Sequence, residues 1–235
     1  MGAARAAHTA TALPDGRVLI AGGFVEKGSA KGAERYGLAT GRFSPTGSMT
    51  VARESHMGVR LLDGRALIAG GHRGRRADIT LYASAEIYDP ASGAFSRAGD
   101  MRIRRHKHDA VVLPDGQVLI TGGSDEGDAR GVCDSSELFD PKTETFTAGP
   151  TMKLGRYKHA GSSLVLPSGL VLVAGGAPQA EVYDPRNRTF VLVPGDARMA
   201  GQFSAVAQLR TGGALITGGY GNGGGPRSSA WLYQP

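Results

Sequence analysis

The chain alternates short apolar runs with polar turns, and one unit shows this pattern most clearly. In residues 108–123, HDAVVLPDGQVLITGG, an alternating run and an apolar run flank Pro-Asp-Gly, and a glycine pair ends the unit. Alternation of apolar and polar positions is typical of a strand that is buried on one face. Pro-Asp-Gly favours a tight turn, because proline presets φ and glycine accepts positive φ. The unit therefore predicts two antiparallel strands joined by a hairpin turn.

The same unit recurs along the whole chain. It begins again at His8, His56 and His159 and, in a less regular form, at Ser204. The glycine pairs stand at residues 22–23, 70–71, 122–123, 175–176 and 218–219, so the steps are 48, 52, 53 and 43 residues. A repeat of roughly 50 residues is typical of propeller blades.

Each repeat continues with two further strand signals. The segment AEIYDP at residues 85–90 predicts a third strand that ends in an Asp-Pro turn, and an aromatic residue then marks a fourth strand. The fifth repeat ends at Pro235, where its third strand ends. We expect the aromatic residues of these strands to fill the space between neighbouring sheets; they are Tyr36, Phe43, Tyr88, Phe95, Phe139, Phe146, Tyr183, Phe190 and Tyr233.

These repeats predict an all-β fold built as a five-bladed β-propeller. Each blade is a four-stranded antiparallel sheet, except that the last blade has three strands. We expect a single domain over residues 1–235, with blades at approximately 1–48, 49–100, 101–151, 152–198 and 199–235.

Composition narrows the class of protein further. No run of apolar residues is long enough to cross a membrane, and residues 1–10 show no signal peptide. The localisation stays open between the cytoplasm and secretion with a leader removed. A single cysteine, Cys133, excludes an internal disulfide framework. The formal net charge of +6 favours acidic partners in a nonspecific way.

The succession of a glycine pair, Glu-x-Tyr-Asp-Pro and an aromatic residue resembles the kelch motif over essentially the whole chain. The Arg-x-x-His-x-Ala opening and the Asp-Gly-x-Val-Leu strand resemble bacterial kelch proteins and the propeller of galactose oxidase. The resemblance implies a kelch-type β-propeller. The chain departs from the family in its fourth-strand phenylalanines, where many kelch repeats have tryptophan, and in Gly37-Leu38, which replaces Asp-Pro. Five repeats, where six or seven are usual, leave a fragment of a larger propeller as an alternative.

The strand order places the loops after the second and fourth strands of every blade at one end, which we call the upper face. Variable loops on a rigid scaffold often carry function, and these loops are rich in arginine and lysine. The resemblance implies that arginines shortly before the first-strand histidines line a pocket for an anionic ligand. The candidate ligand-binding residues of the upper face are Arg5, Arg53, Arg104 and Arg156, with Arg73, Arg75, Arg76 and Arg105 in the adjoining sequence.

A structural interpretation competes with this one. The first four repeats also carry a third-strand glutamate, whereas the fifth has Gly201 in place of the arginine and Trp231 in place of the glutamate. The loss of both residues from the same repeat indicates that the arginine and the glutamate form buried pairs in the other repeats, because a lone buried charge is costly. The glutamates concerned are Glu34, Glu86, Glu137 and Glu181.

The histidines that open the first strands are expected to line the central channel; they are His8, His56, His108 and His159. A repeated histidine fits a repeated structural hydrogen bond better than a metal site, because no carboxylate or thiolate recurs beside it. We predict no metal and no cofactor. A copper-radical site at Cys133 is not predicted either, because no tyrosine–histidine pair of the galactose oxidase kind is present.

The sequence is most consistent with a binding or scaffolding module whose basic upper face binds a protein or an anionic small molecule or glycan. The alternative is an enzyme that acts on an anionic sugar or small metabolite in the same pocket; Glu54, Asp100 and Asp109 are its candidate carboxylates. We expect no specific nucleic-acid binding, because aromatic residues are few, and no membrane partner. A dimer could form through the unpaired edge of the last blade at residues 229–233, because an open strand edge is a template for another chain.

Overall fold

The computed structural model describes residues 1–75, 78–126, 131–195, 201–221 and 224–235. Within these residues the strands form four four-stranded sheets, one three-stranded sheet and two short ribbons. None of the described segments is a helix of the length and apolar character that crossing a bilayer requires. The sheets are the five predicted blades of a β-propeller.

The strands follow the repeats in chain order. Blade 1 contains β1 (Thr9–Ala12), β2 (Val18–Ala21), the ribbon β3 (Phe24–Val25) and β4 (Gly28–Ser29), β5 (Ala33–Gly37) and β6 (Arg42–Pro45). Blade 2 contains β7 (Met57–Arg60), β8 (Ala66–Ala69), the ribbon β9 (His72–Arg73) and β10 (Thr80–Leu81), β11 (Ala85–Asp89) and β12 (Ala94–Arg97). Blade 3 contains β13 (Asp109–Val112), β14 (Val118–Thr121), β15 (Ser136–Asp140) and β16 (Thr145–Ala148). Blade 4 contains β17 (Ser163–Val165), β18 (Val171–Val173), β19 (Glu181–Asp184) and β20 (Thr189–Leu192), and blade 5 contains β21 (Ala205–Gln208), β22 (Ala214–Thr217) and β23 (Ala230–Tyr233).

Register places the start of each first strand beside the glycine pair of its own blade. Thr9 lies opposite Ala21 in blade 1, and Ala205 lies opposite Thr217 in blade 5. The histidines and the glycine pairs therefore share one end of each sheet, as predicted. Blade 5 has the strand order β21-β22-β23, so the prediction of a three-stranded last blade is confirmed.

The chain divides into two compact units. Unit 1 contains residues 1–106 and 140–146, and unit 2 contains residues 107–139 and 147–235. In unit 1 the first strands of blades 1 and 2 pack together, and an apolar cluster that includes Leu19, Ile68 and Tyr88 lies between these blades. In unit 2 the first strands of blades 3, 4 and 5 contact one another in succession. Two apolar clusters, one around Tyr183 and one around Ile216, lie between these three blades.

The turns between first and second strands follow the chemistry of Pro-Asp-Gly. The Asp15 carboxylate accepts a hydrogen bond of 3.0 Å from the N–H of Arg17, and Gly16 has a φ of 79°. The side chains of Asp63 and Asp115 accept the same bond in blades 2 and 3. Local side-chain hydrogen bonding therefore fixes these hairpins.

Close packing between neighbouring blades explains the glycine pairs. A Cβ atom on Gly22 would lie 2.5 Å from the carbonyl oxygen of Arg53 and 2.7 Å from Cε1 of His56, in the next blade. No side chain fits at these distances. The glycine pair therefore marks the point where the backbones of two blades meet.

Two details differ from the prediction. Tyr88, Phe139, Tyr183 and Phe190 are buried as expected, but Phe43 is 37% exposed. It stacks on Tyr36 with ring centres 4.9 Å apart, yet it lies on β6, an outer strand whose residues are all exposed. Residues 24–32, which the sequence predicts as a loop, contain the β3–β4 ribbon. Its two-residue strands are too short to be predicted from the sequence.

Candidate functional site

Buried or partly buried ion pairs join the arginines that precede the first strands to the third-strand glutamates. The distance from Arg Nη2 to Glu Oε1 is 2.8 Å for Arg5–Glu34, 3.1 Å for Arg53–Glu86 and 2.9 Å for Arg156–Glu181. Nη1 of Arg53 also donates to the carbonyl oxygen of Gly70, and Nη1 of Arg156 donates to that of Gly175. Each of these arginines thus links a glycine pair to a third strand, as the structural interpretation predicted.

Arg105, and not Arg104, holds the equivalent position in the third repeat. The carbonyl oxygens of Arg53, Arg105 and Arg156 each accept a hydrogen bond from the second glycine of the preceding pair. Arg105 is fully buried, whereas Arg104 is exposed. The placement of Arg104 in this series was wrong, because Arg104 lies four residues before His108 and the other arginines lie three before their histidines.

Burial separates the candidate arginines into two groups. Arg53, Arg105 and Arg156 have no exposed surface that a ligand could contact, which favours a structural role for them. Arg73 and Arg75 are exposed. Arg76 lies outside the described residues, so its predicted role rests on sequence alone.

Two of the histidines that precede the first strands take part in contacts between neighbouring blades. Nε2 of His56 shares a hydrogen bond of 3.2 Å with Oγ1 of Thr9, and Nε2 of His159 shares one of 3.1 Å with Oγ1 of Thr121. Burial, together with the nearby Arg53 guanidinium, lowers the pKa of His56 from 6.5 to about 3. Among the described residues, no group of three histidine, cysteine or acidic side chains is arranged to hold a metal ion. These contacts support the structural hydrogen-bond interpretation for His56 and His159.

The upper loops of unit 1 contain a satisfied charge pair. Nη2 of Arg75 lies 2.8 Å from Oε2 of Glu54, and the Arg75 guanidinium lies 4.5 Å from the ring centre of Phe24. Ser29 donates to Glu54 at 3.0 Å. Glu54 is buried, so Arg75 is already neutralised by an internal carboxylate.

The other two candidate carboxylates differ in environment. Asp100 is an exposed partner of Arg97, at 2.9 Å. Asp109 is buried, and its carboxylate accepts hydrogen bonds from the N–H groups of Ala110 and residues 161–163. Burial raises the pKa of Asp109, although these N–H groups act in the opposite direction. Asp109 thus anchors the start of β17 and offers no surface to a substrate.

In every blade, the residue immediately before the histidine or serine that precedes the first strand has a positive φ. The residues are Ala7, Ser55, Lys107, Lys158 and Phe203, and their φ values lie between 53° and 58°. Within unit 1 the N–H of Ser55 donates to Ala7 O, and within unit 2 the N–H groups of Lys158 and Phe203 donate to Lys107 O and Lys158 O. A non-glycine residue at positive φ costs about 1–3 kcal/mol and persists only where the surroundings impose it. These hydrogen bonds between neighbouring blades are the contacts that hold Ser55, Lys158 and Phe203 in this conformation.

In unit 2 the residues with this positive φ are Lys107, Lys158 and Phe203, and they bring ammonium groups and aromatic rings together. The ammonium nitrogens of Lys107 and Lys158 both lie 5.2 Å from the ring centre of buried Tyr157, and Lys107 donates to Tyr157 Oη at 3.0 Å. The Lys158 ammonium also lies 5.7 Å from the ring centre of Phe203. Phe203 and Tyr220 contact edge to face and are 58% and 45% exposed. Lys158 forms no ion pair with a carboxylate among the described residues.

Lys158, Phe203 and Tyr220 border a pocket of about 610 Å³ in the upper loops of blades 4 and 5, which we call the Lys158 pocket. Its volume lies within the usual range for small-molecule sites. Its wall is formed by Lys158, Gly176, Ala177, Pro178, Gly201, Gln202, Phe203, Tyr220, Gly221 and Gly224.

Gly201 replaces the arginine of the earlier repeats and lines the Lys158 pocket. Gly201 stands where earlier repeats have the buried arginine, and its carbonyl oxygen still accepts the N–H of Gly176 at 2.7 Å. Trp231 lies opposite Ile216, in the register of the earlier glutamates, and packs against the apolar cluster around Ile216. The backbone contact is thus kept without a guanidinium. The sequence contains this signal in Gly201 and Trp231, but the convergence of Lys158, Phe203 and Tyr220 could not be predicted from it.

The five repeats, their glycine pairs and their antiparallel sheets define a β-propeller. Among solved structures, the chain is similar to that of YjhT, with a TM-score of 0.75 and 12% identity over 97% of this chain and 81% of that one. Among curated proteins, it is similar to the galactose oxidase of Gibberella zeae, with 28% identity over 134 residues. The match covers 52% of this chain and 17% of the relative, so the chain spans only a small part of that protein's length. No protein-family model matches the chain. These likenesses fit the kelch-repeat propeller family.

Proposed function

We propose that the protein is a binding module that takes an anionic small molecule or glycan into the Lys158 pocket. The observation that carries this proposal is the Lys158 ammonium, which lies over two aromatic rings at the wall of a pocket of about 610 Å³ and has no carboxylate partner among the described residues. A negatively charged group of the ligand would form an ion pair with the Lys158 ammonium.

The aromatic residues indicate the kind of anion. Phe203 and Tyr220 expose large ring surfaces to the pocket, and small-molecule sites commonly combine such surfaces with a few polar groups that fix orientation. A sugar acid offers both a carboxylate for Lys158 and an apolar C–H face for a ring. Gln202 and the glycine-rich wall add hydrogen-bonding groups for hydroxyls. Sugar acids therefore match the pocket better than inorganic anions do.

Titration calorimetry with D-glucuronate and D-glucose tests this proposal. We expect glucuronate to bind and glucose to bind at least tenfold more weakly, because a hydrogen bond to a charged group contributes about 1.5–3 kcal/mol. Lys158→Gln removes the ammonium and should reduce glucuronate affinity at least tenfold.

Lys153→Gln is the matched control, because Lys153 is exposed on the same segment and lies outside the pocket. Equal affinity for the two sugars, or equal effects of the two lysine substitutions, would contradict the proposal. The wider basic upper face as a protein-binding surface, and the enzymatic alternative, stay predictions.

A further inference from the structure

A hairpin turn joins the first and second strands of each blade at the end opposite the upper loops, and in blades 1 and 2 this turn contains an Asp–Arg pair. Nε of Arg17 donates to the Asp15 carboxylate at 2.8 Å. Nε of Arg65 donates to the Asp63 carboxylate at 2.9 Å. In both turns the arginine stands two residues after the aspartate, so the turn supplies the cation for its own carboxylate.

Arg65 also shows which other groups surround a guanidinium at this place. Its Nη2 donates to the carbonyl oxygen of Pro141 at 3.0 Å, and its Nη1 forms an ion pair with Glu144. Residues 141–144 form the turn between β15 and β16, and they belong to the same compact unit as Arg65. The guanidinium therefore lies between the hairpin aspartate of one blade and the Asp-Pro turn of the next.

Blade 3 retains the hairpin aspartate but not the arginine. Gln117 takes the position of Arg65, and its N–H donates to the Asp115 carboxylate at 3.0 Å. Within the part of the chain that the structure describes, Asp115 forms no ion pair. In the turn of the next blade, Arg188 takes the position of Glu144. The cation that blade 2 supplies is therefore missing here, while its aspartate acceptor remains.

A pocket of about 440 Å³ lies at this place in unit 2, and we call it the Asp115 pocket. Asp115 borders it from the hairpin of blade 3, and Asp184 and Pro185 border it from the Asp-Pro turn of blade 4. Pro185 corresponds to Pro141, whose carbonyl oxygen accepts a hydrogen bond from Arg65. The pocket thus keeps the acceptors that surround a guanidinium in unit 1 and leaves an open volume beside them.

We propose that the Asp115 pocket binds a guanidinium group on an alkyl stem, as an arginine side chain or free arginine presents it. The Asp115 carboxylate and the Pro185 carbonyl oxygen are its acceptors. The apolar side chains of Pro114, Pro167 and Leu170 border the same pocket and pack on the alkyl stem. A lysine ammonium fits this arrangement less well, because it is a compact charge, whereas the planar guanidinium presents its donors in a fixed fork.

Arg186 borders the pocket as well, and its charge opposes a cationic ligand. Its side chain is exposed, and only its backbone N–H is bonded to Asp184, so the guanidinium of Arg186 can turn into solvent. Arg186→Gln should strengthen guanidinium binding about two- to fivefold by removing this like charge. A pocket that recognised an anion would lose affinity on the same substitution, and that result would overturn the proposal.

NMR titration with N-acetyl-L-arginine amide and N-acetyl-L-lysine amide is the principal test. The arginine compound should shift the amide resonances of residues 115–117, 168–170 and 186, and the lysine compound should bind at least fivefold more weakly. Asp115→Asn should remove most of the binding and keep the turn, because the amide oxygen still accepts the N–H of Gln117. Asp63→Asn is the matched control and should leave binding unchanged, because Arg65 already occupies that place.

Gln117→Arg restores the residue that blade 2 has and should block the pocket from within. Free L-arginine separates the two sources of the ligand: tighter binding of the capped compound identifies an arginine in a peptide, and tighter binding of the free amino acid identifies a small molecule. Equal binding of the arginine and lysine compounds, unchanged binding after Gln117→Arg, or no shift at about 10 mM of the capped arginine would overturn the proposal.

Discussion

At the scale of single residues, the buried Arg–Glu pairs govern the contacts between strands. Arg156 and Glu181 are both fully buried, and besides pairing with each other they bond to the backbone. Glu181 accepts the N–H groups of Lys153 and Leu154 at 2.7 and 3.0 Å. Burial lowers the pKa of Arg156, although Glu181 opposes the shift. Each partner therefore depends on the other for its charge to be tolerated inside the protein.

Removing one partner should destabilise the protein strongly. Arg156→Leu leaves Glu181 as an uncompensated buried charge, and the expected loss is about 3–5 kcal/mol in the free energy of unfolding. The double variant Arg156→Leu with Glu181→Leu should lose less than the two single variants combined. Urea denaturation measures both. Arg97→Gln, in the exposed pair with Asp100, is the control and should unfold at the same urea concentration as the wild type.

His56 should make stability depend on pH. Its pKa in the folded state, about 3, lies below the ordinary value of 6.5, so the unfolded chain takes up the proton first as the pH falls. The stabilising contribution is therefore present above pH 6.5 and is lost between pH 6.5 and 3. At pH 5 the loss amounts to about 2 kcal/mol relative to neutral pH.

The measurement is urea denaturation of the wild type and of His56→Gln at pH 7.5 and pH 5. The variant should lose about 2 kcal/mol less than the wild type between these pH values. His8→Gln changes the half-buried histidine of blade 1 and serves as the control. If His56→Gln and the wild type respond identically to pH, His56 is not buried as a neutral group.

At the scale of strands and turns, local chemistry explains why much of the fold was predictable. Alternation marks the first strands, while Asp15 and Gly16 fix their hairpin turn through side-chain hydrogen bonding and positive φ. The candidate site was less accessible to sequence reasoning. The positive φ of Lys158 and Phe203 comes from hydrogen bonds between blades, and no residue pattern in the chain encodes it.

Arg104 and Arg105 show the same limit of prediction from the sequence at the level of single residues. Two adjacent arginines carry the same charge, and only their place in the segment before β13 decides that Arg105 is buried and Arg104 is exposed. A charge pattern therefore located the upper loops but could not separate structural from accessible cations.

At the scale of the molecule, blade 5 departs from the repeat in three ways. It lacks the arginine, the glutamate and the fourth strand that the complete blades have. Gly201, at the position of the arginine, lines the Lys158 pocket. The first four blades repeat a structural plan, and the proposed sugar-acid site lies where that plan is relaxed.

The most direct test of the central claim is to map where a sugar acid binds. Titration of the isotopically labelled protein with D-glucuronate should shift the amide resonances of Gly176, residues 201–203 and residues 220–221, which border the Lys158 pocket. D-glucose at the same concentrations should leave them nearly unchanged. Shifts centred instead on Arg73 and Arg75, or equal shifts with both sugars, would contradict the account.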